Sequence, residues 1–148
     1  MTKPIPSAVL FACTQNAVRS PMAAALTRHL YPNTIYCRSA GVEVGELDPF
    51  VDIVMSEVGV DITRHKPHTF EALADASFDL VVSLSVPAQQ AVRDWTRTLA
   101  IDVEYWPTMN PSQIGETRDQ RLAAYREVRD GLLRQIIERM GPPIQQIK

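Results

Sequence analysis

The sequence predicts an α/β fold in which a parallel sheet is covered by helices. Four short apolar or β-branched stretches alternate with helical stretches along the chain, an order that is typical of parallel sheets. The first of them, residues 8–12, is apolar without alternation, as expected for a strand that is buried on both faces. A length of 148 residues suits one domain with a full hydrophobic core.

The first strand leads into a loop that begins with Cys13 and ends with Arg19 and Ser20. Ser20 is a good N-cap and Pro21 suits the first turn, so we predict a helix from Ser20 to Leu30. A loop that folds over a helix N-terminus directs several backbone N–H groups to one spot, where the helix dipole adds positive potential. Such a spot binds a tetrahedral oxyanion, and the planar guanidinium of Arg19 can hold two of its oxygens.

Cys13 is the candidate nucleophile of this loop. A helix N-terminus and a nearby cation both favour the thiolate, which is the reactive form of a cysteine. The thiolate would attack the phosphorus of a bound phosphate ester, and the Ser20 hydroxyl could donate a hydrogen bond to it. Asn16 tolerates the left-handed backbone that a tight anion-binding loop often needs. The alternative interpretation is an ordinary buried cysteine.

Three further stretches complete the predicted sheet. Residues 34–38 are β-rich and include Cys37, residues 80–84 are apolar and β-branched, and residues 101–105 form the fourth strand. The segment 39–47 after the second strand is polar and is predicted to be a loop.

Local capping signals place the remaining helices. Asp48-Pro49, an N-cap followed by proline, starts the second helix and explains this pair fully. Ser85 starts the helix after the third strand, and Thr117 with Gln120 forms a capping box for the last helix. We also expect a short helix at 69–76, a loosely held leader at 1–6 and a mobile tail at 141–148.

Composition and charge exclude several classes of protein. Hydrophobic residues make up 45% and charged residues 22% of the chain, as in ordinary soluble globular proteins. A net charge of −2, without a basic stripe that carries interleaved aromatic residues, argues against nucleic-acid binding. We expect a cytoplasmic protein that does not bind membranes, because the sequence has no bilayer-spanning apolar run and no signal-peptide core. Two cysteines are too few for a disulfide framework.

The segment Phe11-Ala-Cys-Thr-Gln-Asn-Ala-Val-Arg-Ser-Pro-Met-Ala resembles the active-site signature of the low-molecular-weight protein tyrosine phosphatases. Their superfamily includes the thioredoxin-coupled arsenate reductases. Further similar segments are Ser39-Ala-Gly, Gly59-Val-Asp, Arg64-His65, Phe78-Asp-Leu-Val-Val and Val103-Glu-Tyr-Trp-Pro. The resemblance covers residues 7–138. It implies a single domain with a four-stranded parallel sheet, helices on both faces, and a phosphate-binding loop between strand 1 and helix 1. It also implies a cysteinyl-phosphate intermediate on Cys13, with no metal and no other cofactor.

The resemblance also assigns roles to individual residues. Ser39 matches a family serine that hydrogen-bonds the loop asparagine, and His65 matches a histidine that braces the loop from behind. Val18 stands where some relatives carry a second, protective cysteine, so we expect Cys37 to be a core residue rather than a redox partner. The residues expected to bind the phosphate are Thr14, Gln15, Asn16, Ala17, Val18, Arg19 and Ser20.

The main departure from the family pattern lies at Asn110-Pro111. There the family has an Asp-Pro pair, whose aspartic acid protonates the leaving oxygen and then helps water to hydrolyse the cysteinyl phosphate. An amide cannot do this, and general acid–base catalysis is worth about 10²–10⁴ in rate, so we expect a weakened phosphatase. Glu116 is the candidate substitute in this loop, although a solvated residue before the last helix is the simpler interpretation.

Three functions fit these features. The first is hydrolysis of phosphate monoesters, either on a phosphotyrosine protein or on a small aryl phosphate, by a site that also binds phosphate, sulfate, vanadate and arsenate. The second is arsenate reduction with one cysteine and an external thiol, because residues 83–89 lack the relay cysteines of the thioredoxin-coupled route. The third is a non-catalytic module that binds oxyanions or phosphoproteins. Phosphotyrosine preference rests on the resemblance alone, since Ser112 and Gln113 stand where tyrosines wall the family's slot.

Overall fold

The computed structural model describes residues 3–73 and 77–147. Its described residues form a four-stranded sheet in the order β2-β1-β3-β4, and every adjacent pair of strands is parallel. The strands are β1 Ala8–Cys13, β2 Tyr36–Gly41, β3 Leu80–Ser83 and β4 Asp102–Tyr105. The predicted α/β class and parallel sheet are therefore confirmed.

Helices follow the strands in alternation. They are α1 Arg19–Leu30, α2 Pro49–Ser56, α3 Val86–Thr96 and α4 Arg118–Met140, with short 3₁₀ turns at Phe70–Leu73 and Pro111–Gln113. Asp48, Ser85 and Thr117 cap their helices as predicted, and Gln120 completes the capping box of α4. Of the short helix predicted at 69–76, the structure shows the 3₁₀ turn, and residues 74–76 lie outside the described residues.

Alternate residues of β1 face two different hydrophobic cores, which places helices on both faces of the sheet. Val9 and Phe11 pack in a core with residues of α1, α2 and α4. Leu10 and Ala12 pack in a second core, which contains Ala88 of α3. β1 is fully buried from Val9 to Ala12, since it is central in the sheet and covered on both sides.

Two predicted boundaries near the loop are wrong. Helix α1 begins at Arg19, its N-cap position is Val18, and the Ser20 hydroxyl makes no capping bond. Strand β2 runs to Gly41 instead of ending at Arg38, because Ser39 to Gly41 pair with the last residues of β1. The segment predicted as a loop therefore begins with a strand.

The tail, which we expected to be mobile, makes hydrogen bonds with the end of α1. The N–H groups of Ile144 and Gln145 donate to the carbonyl of Leu30 at 2.9 and 3.1 Å, which attaches the tail to the end of α1. Arg139 donates to the carbonyl of Pro4 at 2.9 Å and so holds the leader against α4. No helix of the described residues combines the length and apolar character needed to span a membrane.

Candidate active site

The loop between β1 and α1 lies at the carboxyl edge of the sheet, where the chain order reverses. β1 has β2 on one side and β3 on the other, so the connections that follow these strands diverge from this point. Ligands bind at such switch points in parallel α/β folds. Cys13 is the last residue of β1 and Arg19 is the first of α1, so both flank this crevice.

The carbonyls of the loop all have hydrogen-bond partners. A supporting segment, residues 42–48, supplies four of them: Val42 N–H donates to Cys13 O (3.2 Å), Glu43 to Thr14 O (2.9 Å), Gly45 to Gln15 O (2.9 Å) and Asp48 to Ala17 O (3.2 Å). His65 donates to Asn16 O at 2.9 Å, and Met22 N–H donates to Val18 O at 3.2 Å. Each carbonyl from Cys13 to Val18 is therefore held by its neighbours.

This arrangement leaves the N–H groups of residues 14–19 for a ligand. The described peptides are all trans, so each N–H points away from the carbonyl of its own peptide unit. Within residues 3–73 and 77–147, no protein acceptor takes the N–H groups of residues 14–19. Six such donors on the side of the loop away from its bound carbonyls, next to a helix N-terminus, are suited to an oxyanion, and we call this feature the cradle.

Asn16 fixes the shape of the cradle. Its backbone has φ 56°, the left-handed conformation expected from the sequence, and the residue is fully buried. The side-chain Nδ2 donates to Ser20 Oγ at 2.9 Å, and Oδ1 accepts from His68 N–H at 3.0 Å. With His65 bound to its carbonyl, Asn16 joins the loop to α1 and to residues 65–68.

The thiol of Cys13 lies beneath this cradle, 2% exposed and 2.9 Å from Ser20 Oγ. Because Asn16 Nδ2 already donates to this hydroxyl, the hydroxyl hydrogen of Ser20 is available for the sulfur. The other acceptor near that hydroxyl, the carbonyl of Ala40, is at a longer 3.5 Å. Ser20 therefore acts as a donor to Cys13 instead of capping α1.

Arg19 joins the cradle to the loop that follows β4. Its side chain is half-buried, and Nη1 donates to the carbonyl of Thr108 at 2.9 Å. The guanidinium keeps four further N–H donors, which is enough for two oxygens of a bound anion.

A cavity of about 350 Å³ opens above Cys13. Asn110 lines it, as do Ser112 and Gln113. Asn110 Oδ1 accepts from Ser112 N–H at 3.1 Å and from Ser112 Oγ at 2.8 Å, and because a backbone N–H can only donate, this fixes the orientation of the amide. The group that Asn110 can offer a ligand is therefore an NH₂ donor.

Comparison with known proteins decides the family. The sequence model of the low molecular weight phosphotyrosine protein phosphatases matches residues 8–140. The chain belongs to this family. It is 29% identical to the arsenate reductase of Bacillus subtilis over 82% of this chain and 86% of that protein.

Two further relatives extend the comparison. The glutaredoxin arsenate reductase of Synechocystis is 27% identical over 89% of this chain and 94% of the relative. The structure of the arginine phosphatase YwlE from Geobacillus stearothermophilus is similar with a TM-score of 0.69 and 23% identity, over 90% of each chain, and it supports the fold alone. The family thus includes both phosphatases and arsenate reductases.

The sequence did not reveal two carboxylates that line the cavity of this family member, those of Glu46 and Asp48. Capping does not explain Asp48 fully, because its Oδ2 accepts a short hydrogen bond from Tyr125 while Oδ1 caps α2. Burial and this neighbouring carboxylate raise the pKa of Tyr125 above its ordinary value. The only available signal was that Asp48 directly follows the polar loop predicted at residues 39–47. Glu116, the candidate substitute acid, is exposed and is not among the described residues that line the cavity.

The supporting residues lie behind the loop with different contacts. His65 braces it through the carbonyl of Asn16, in the position that the family resemblance suggested. Ser39 is buried on β2 opposite Phe11, but Asn16 uses its side chain for Ser20 and His68, so the expected bond to Ser39 does not form among the described residues.

Cys37 is remote from Cys13 in the register of the sheet. Cys37 pairs with Val9, whereas Cys13 pairs with Gly41, so the two cysteines are separated by four strand positions or about 13 Å. A disulfide needs Cα atoms within about 7 Å. Burial raises the pKa of the Cys37 thiol to about 12, which keeps it protonated and unreactive. In the described part of the chain, no cluster of His, Cys, Asp and Glu could hold a metal ion.

Proposed function

We propose that this protein hydrolyses phosphate monoesters through a cysteinyl phosphate on Cys13. The observation that carries this proposal is the Cys13 sulfur, 2.9 Å from the Ser20 hydroxyl and beneath a cradle of inward-facing N–H groups. The cradle and Arg19 would hold three oxygens of the phosphoryl group. The sulfur would attack phosphorus, the P–O bond to the leaving group would break, and the electron pair would pass to the leaving oxygen. Water would then displace Cys13 and release inorganic phosphate.

The substrates that suit this site have good leaving groups. Asn110 supplies an NH₂ donor that can hydrogen-bond the leaving oxygen but cannot protonate it. Aryl phosphates need the least protonation, so we propose phosphotyrosine in a protein or a small aryl phosphate as the substrate. Turnover is slower than with an aspartic acid at this position. A reactive thiol also suits a reducing compartment, which supports a cytoplasmic location.

Arsenate reduction with an external thiol is the second candidate, because two curated relatives are named arsenate reductases and arsenate has the shape of phosphate. The Cys13 sulfur would bind arsenic, and an external thiol would attack that sulfur. The arsenate oxygen that sulfur displaces would leave as water. As the mixed disulfide of Cys13 and the external thiol forms, the S–As bond would break and its electron pair would leave with arsenic as arsenite, so the two thiols supply the two electrons. Cys37 is too distant to take part, so an intramolecular disulfide plays no role in this route.

The deciding experiment compares the native chain with Cys13→Ser and, as a matched control, Cys37→Ser. With an aryl phosphate, we expect turnover and a phosphoryl group on the peptide that contains Cys13, detected by mass spectrometry after acid quench. Cys13→Ser should retain phosphate binding without turnover, and Cys37→Ser should behave like the native chain. Turnover that survives in Cys13→Ser would contradict the proposal.

The same proteins then distinguish the alternatives. Arsenite formed from arsenate and glutathione by the native chain, without aryl phosphate hydrolysis, would establish the reductase instead. Saturable phosphate binding with neither activity would leave a non-catalytic oxyanion-binding module.

A further inference from the structure

A second cavity, of about 510 Å³, adjoins the anion loop and shares no lining residue with the cavity above Cys13. We name it the basic cavity after its lining side chains, which include Arg28, Arg38, Arg64, Lys66, His65 and His68. These residues come from α1, from β2 and from the turn at 64–68, so the fold brings together basic groups that are scattered in sequence.

The positive charge of the basic cavity is not neutralised. Its one lining carboxylate, Asp61, accepts from the N–H and the hydroxyl of Thr63 at 2.9 and 2.7 Å. Nη1 of Arg28 bonds the carbonyl of Cys37, and Nη1 of Arg38 bonds the hydroxyl of Tyr36, both of which are neutral acceptors.

Within the described residues, none of the four Arg and Lys side chains of this cavity forms a salt bridge, although the protein as a whole has a net charge of −2. Four cations gathered around one concave surface attract an anion with more than one negative charge.

One ring nitrogen of His68, which lines the basic cavity, has no hydrogen-bond partner among the described residues. His68 Nδ1 lies 2.9 Å from the carbonyl of Lys66, and because a carbonyl only accepts, Nδ1 carries the proton. His68 Nε2 is buried and has no protein partner in the described structure. Buried polar atoms without a partner are rare. In the imidazolium form both ring nitrogens carry a proton, so Nε2 can donate to a bound anion while Nδ1 keeps its bond to Lys66.

The basic cavity is connected to the catalytic loop through Asn16. His65 Nε2 donates to the Asn16 carbonyl at 2.9 Å, and His68 N–H donates to Asn16 Oδ1 at 3.0 Å. Asn16 in turn holds the hydroxyl of Ser20, which contacts the Cys13 sulfur. Burial lowers the pKa of His65, and the nearby charges of His68 and Arg28 add to this effect. A negative charge in the basic cavity would act in the opposite direction on the pKa of His65, the residue that braces the loop.

We propose that the basic cavity is a second anion site, which binds a phosphoryl dianion and adjusts the catalytic loop through Asn16. The dianion is inorganic phosphate or the phosphate of a small molecule such as a nucleoside monophosphate, and a cavity of about 510 Å³ has room for either. The proposal goes beyond hydrolysis at Cys13: occupancy of the basic cavity is measured without turnover, and only its effect on the catalytic loop rests on the proposed function.

Binding is tested in the Arg19→Ala background, which weakens the cradle above Cys13. Inorganic phosphate and adenosine monophosphate are titrated separately by calorimetry at constant ionic strength, because salt screens exposed charges. We expect saturable binding of at least one of them, weakened at least tenfold by Arg64→Gln/Lys66→Gln, two exposed side chains, and also by Arg38→Gln.

Arg97→Ala, which changes an exposed arginine at the end of α3, is the matched control and should bind like its parent. Loss of all saturable binding in Arg19→Ala would overturn the proposal. So would equal binding by the Arg64→Gln/Lys66→Gln variant, or equal weakening by Arg97→Ala.

The coupling is tested in the chain with Arg19 intact. The anion should change kcat for an aryl phosphate at least twofold in the native chain and in Arg97→Ala, but not in Arg64→Gln/Lys66→Gln; KM is not compared, because phosphate also competes with the substrate above Cys13. An anion that binds the basic cavity and leaves kcat unchanged would refute the link through Asn16. Binding by phosphate alone identifies a product site, and binding by the nucleotide identifies a site for a phosphorylated small molecule.

Discussion

The loops after β1 and β4, which meet above Cys13, differ in how many of the groups needed for phosphate-ester hydrolysis they supply. The loop after β1 has the proposed nucleophile Cys13, an arginine and six N–H donors, and the carbonyls of its residues 13–18 are all hydrogen-bonded to neighbours. The loop after β4 contributes Asn110, an amide that accepts from Ser112 and cannot transfer a proton. In the proposed reaction, the β1 loop binds the phosphoryl group, whereas delivery of a proton would fall to the β4 loop. A substitution in the β4 loop can therefore remove proton delivery while phosphoryl binding is kept.

The difference has a structural cause. The β1 loop works mainly through backbone groups, and these are fixed by residues 42–48, by His65 and by His68. The β4 loop is tied to the first through Thr108, whose carbonyl accepts from Arg19. Proton delivery rests on one side chain, so a single substitution removes it without disturbing the cradle.

The largest effect is expected from Arg19→Ala, which removes a binding group from the β1 loop. Loss of an oxyanion donor typically costs about 10²–10³ in rate, and this change also breaks the bond to Thr108 that joins the two loops. We expect kcat/KM for an aryl phosphate to fall by that factor and vanadate inhibition to weaken in parallel. Arg19→Lys should be intermediate, since it keeps the charge and loses the planar fork. Unchanged vanadate inhibition in Arg19→Ala would show that the cradle is not the oxyanion site.

Asn110→Asp tests whether the β4 loop lacks only a proton donor. One carboxyl oxygen can keep the bonds to Ser112, and the other takes the place of the NH₂ group. We expect kcat to rise by about 10- to 100-fold for poor leaving groups and less for good ones, because proton transfer is then supplied. The pH profile of kcat should gain an additional ionisation. If kcat and its dependence on the leaving group stay the same, the acid lies elsewhere, and Glu46 and Asp48 become the residues to test.

The order of elements and the helix caps could be predicted from the sequence because they depend on local interactions. Asp48, Ser85 and Thr117 each cap a helix through a backbone N–H only two or three residues away. Ser20 has the same capping preference, but Asn16 and Cys13 engage its hydroxyl, and this tertiary demand is invisible in a local pattern.

The cavity walls were the least predictable part of the site. Asp48 lines the cavity and bonds Tyr125, which is 77 positions later in the chain, and no spacing rule connects two residues so far apart. The same holds for the basic cavity, whose residues come from α1, β2 and residues 61–68 and meet through tertiary contacts such as the hydrogen bond from Gly41 N–H to His68 O. Cys13 and Arg19, by contrast, are six positions apart on either side of a helix start, so their proximity could be predicted.

Gly41→Ala tests whether the β1 loop depends on the close backbone contact with the end of β2. A Cβ at this position would lie 2.8 Å from Asn16 N and 2.9 Å from Gln15 C, so the loop would have to move. We expect a loss of about 1–3 kcal/mol in the free energy of unfolding, typical of overpacking, together with weaker phosphate binding. Gly131→Ala on α4 is the control, because its Cβ would meet only Arg134, at 3.8 Å, and alanine favours a helix by about 0.5–1 kcal/mol. Equal stability of the two variants, measured by urea unfolding, would contradict the support assigned to Gly41.

The smallest expected effect is a pH dependence of the free energy of unfolding that arises from His65, which supports the β1 loop but not the β4 loop. Burial lowers the pKa of His65 below its ordinary value of about 6.5, so the folded protein holds this side chain neutral at pH 7. Below about pH 6.5 the unfolded chain takes up the proton more readily than the folded one, so the free energy of unfolding should fall between pH 6.5 and 5. Arg126 and Arg129 hold the pKa of Glu57 near 2, so the contribution of Glu57 is lost only at lower pH.

His65→Gln isolates this contribution, because the amide can still donate to Asn16 O but does not titrate. The variant should lose less stability than the native chain between pH 6.5 and 5, by an amount smaller than the effect of Gly41→Ala. Phosphate affinity should likewise fall less with decreasing pH in His65→Gln than in the native chain, since His65 braces the cradle, whereas Asn110 has no proton to exchange in this range. Identical pH dependence in the two proteins would mean that protonation of His65 affects neither the stability of the fold nor the affinity of the cradle for phosphate.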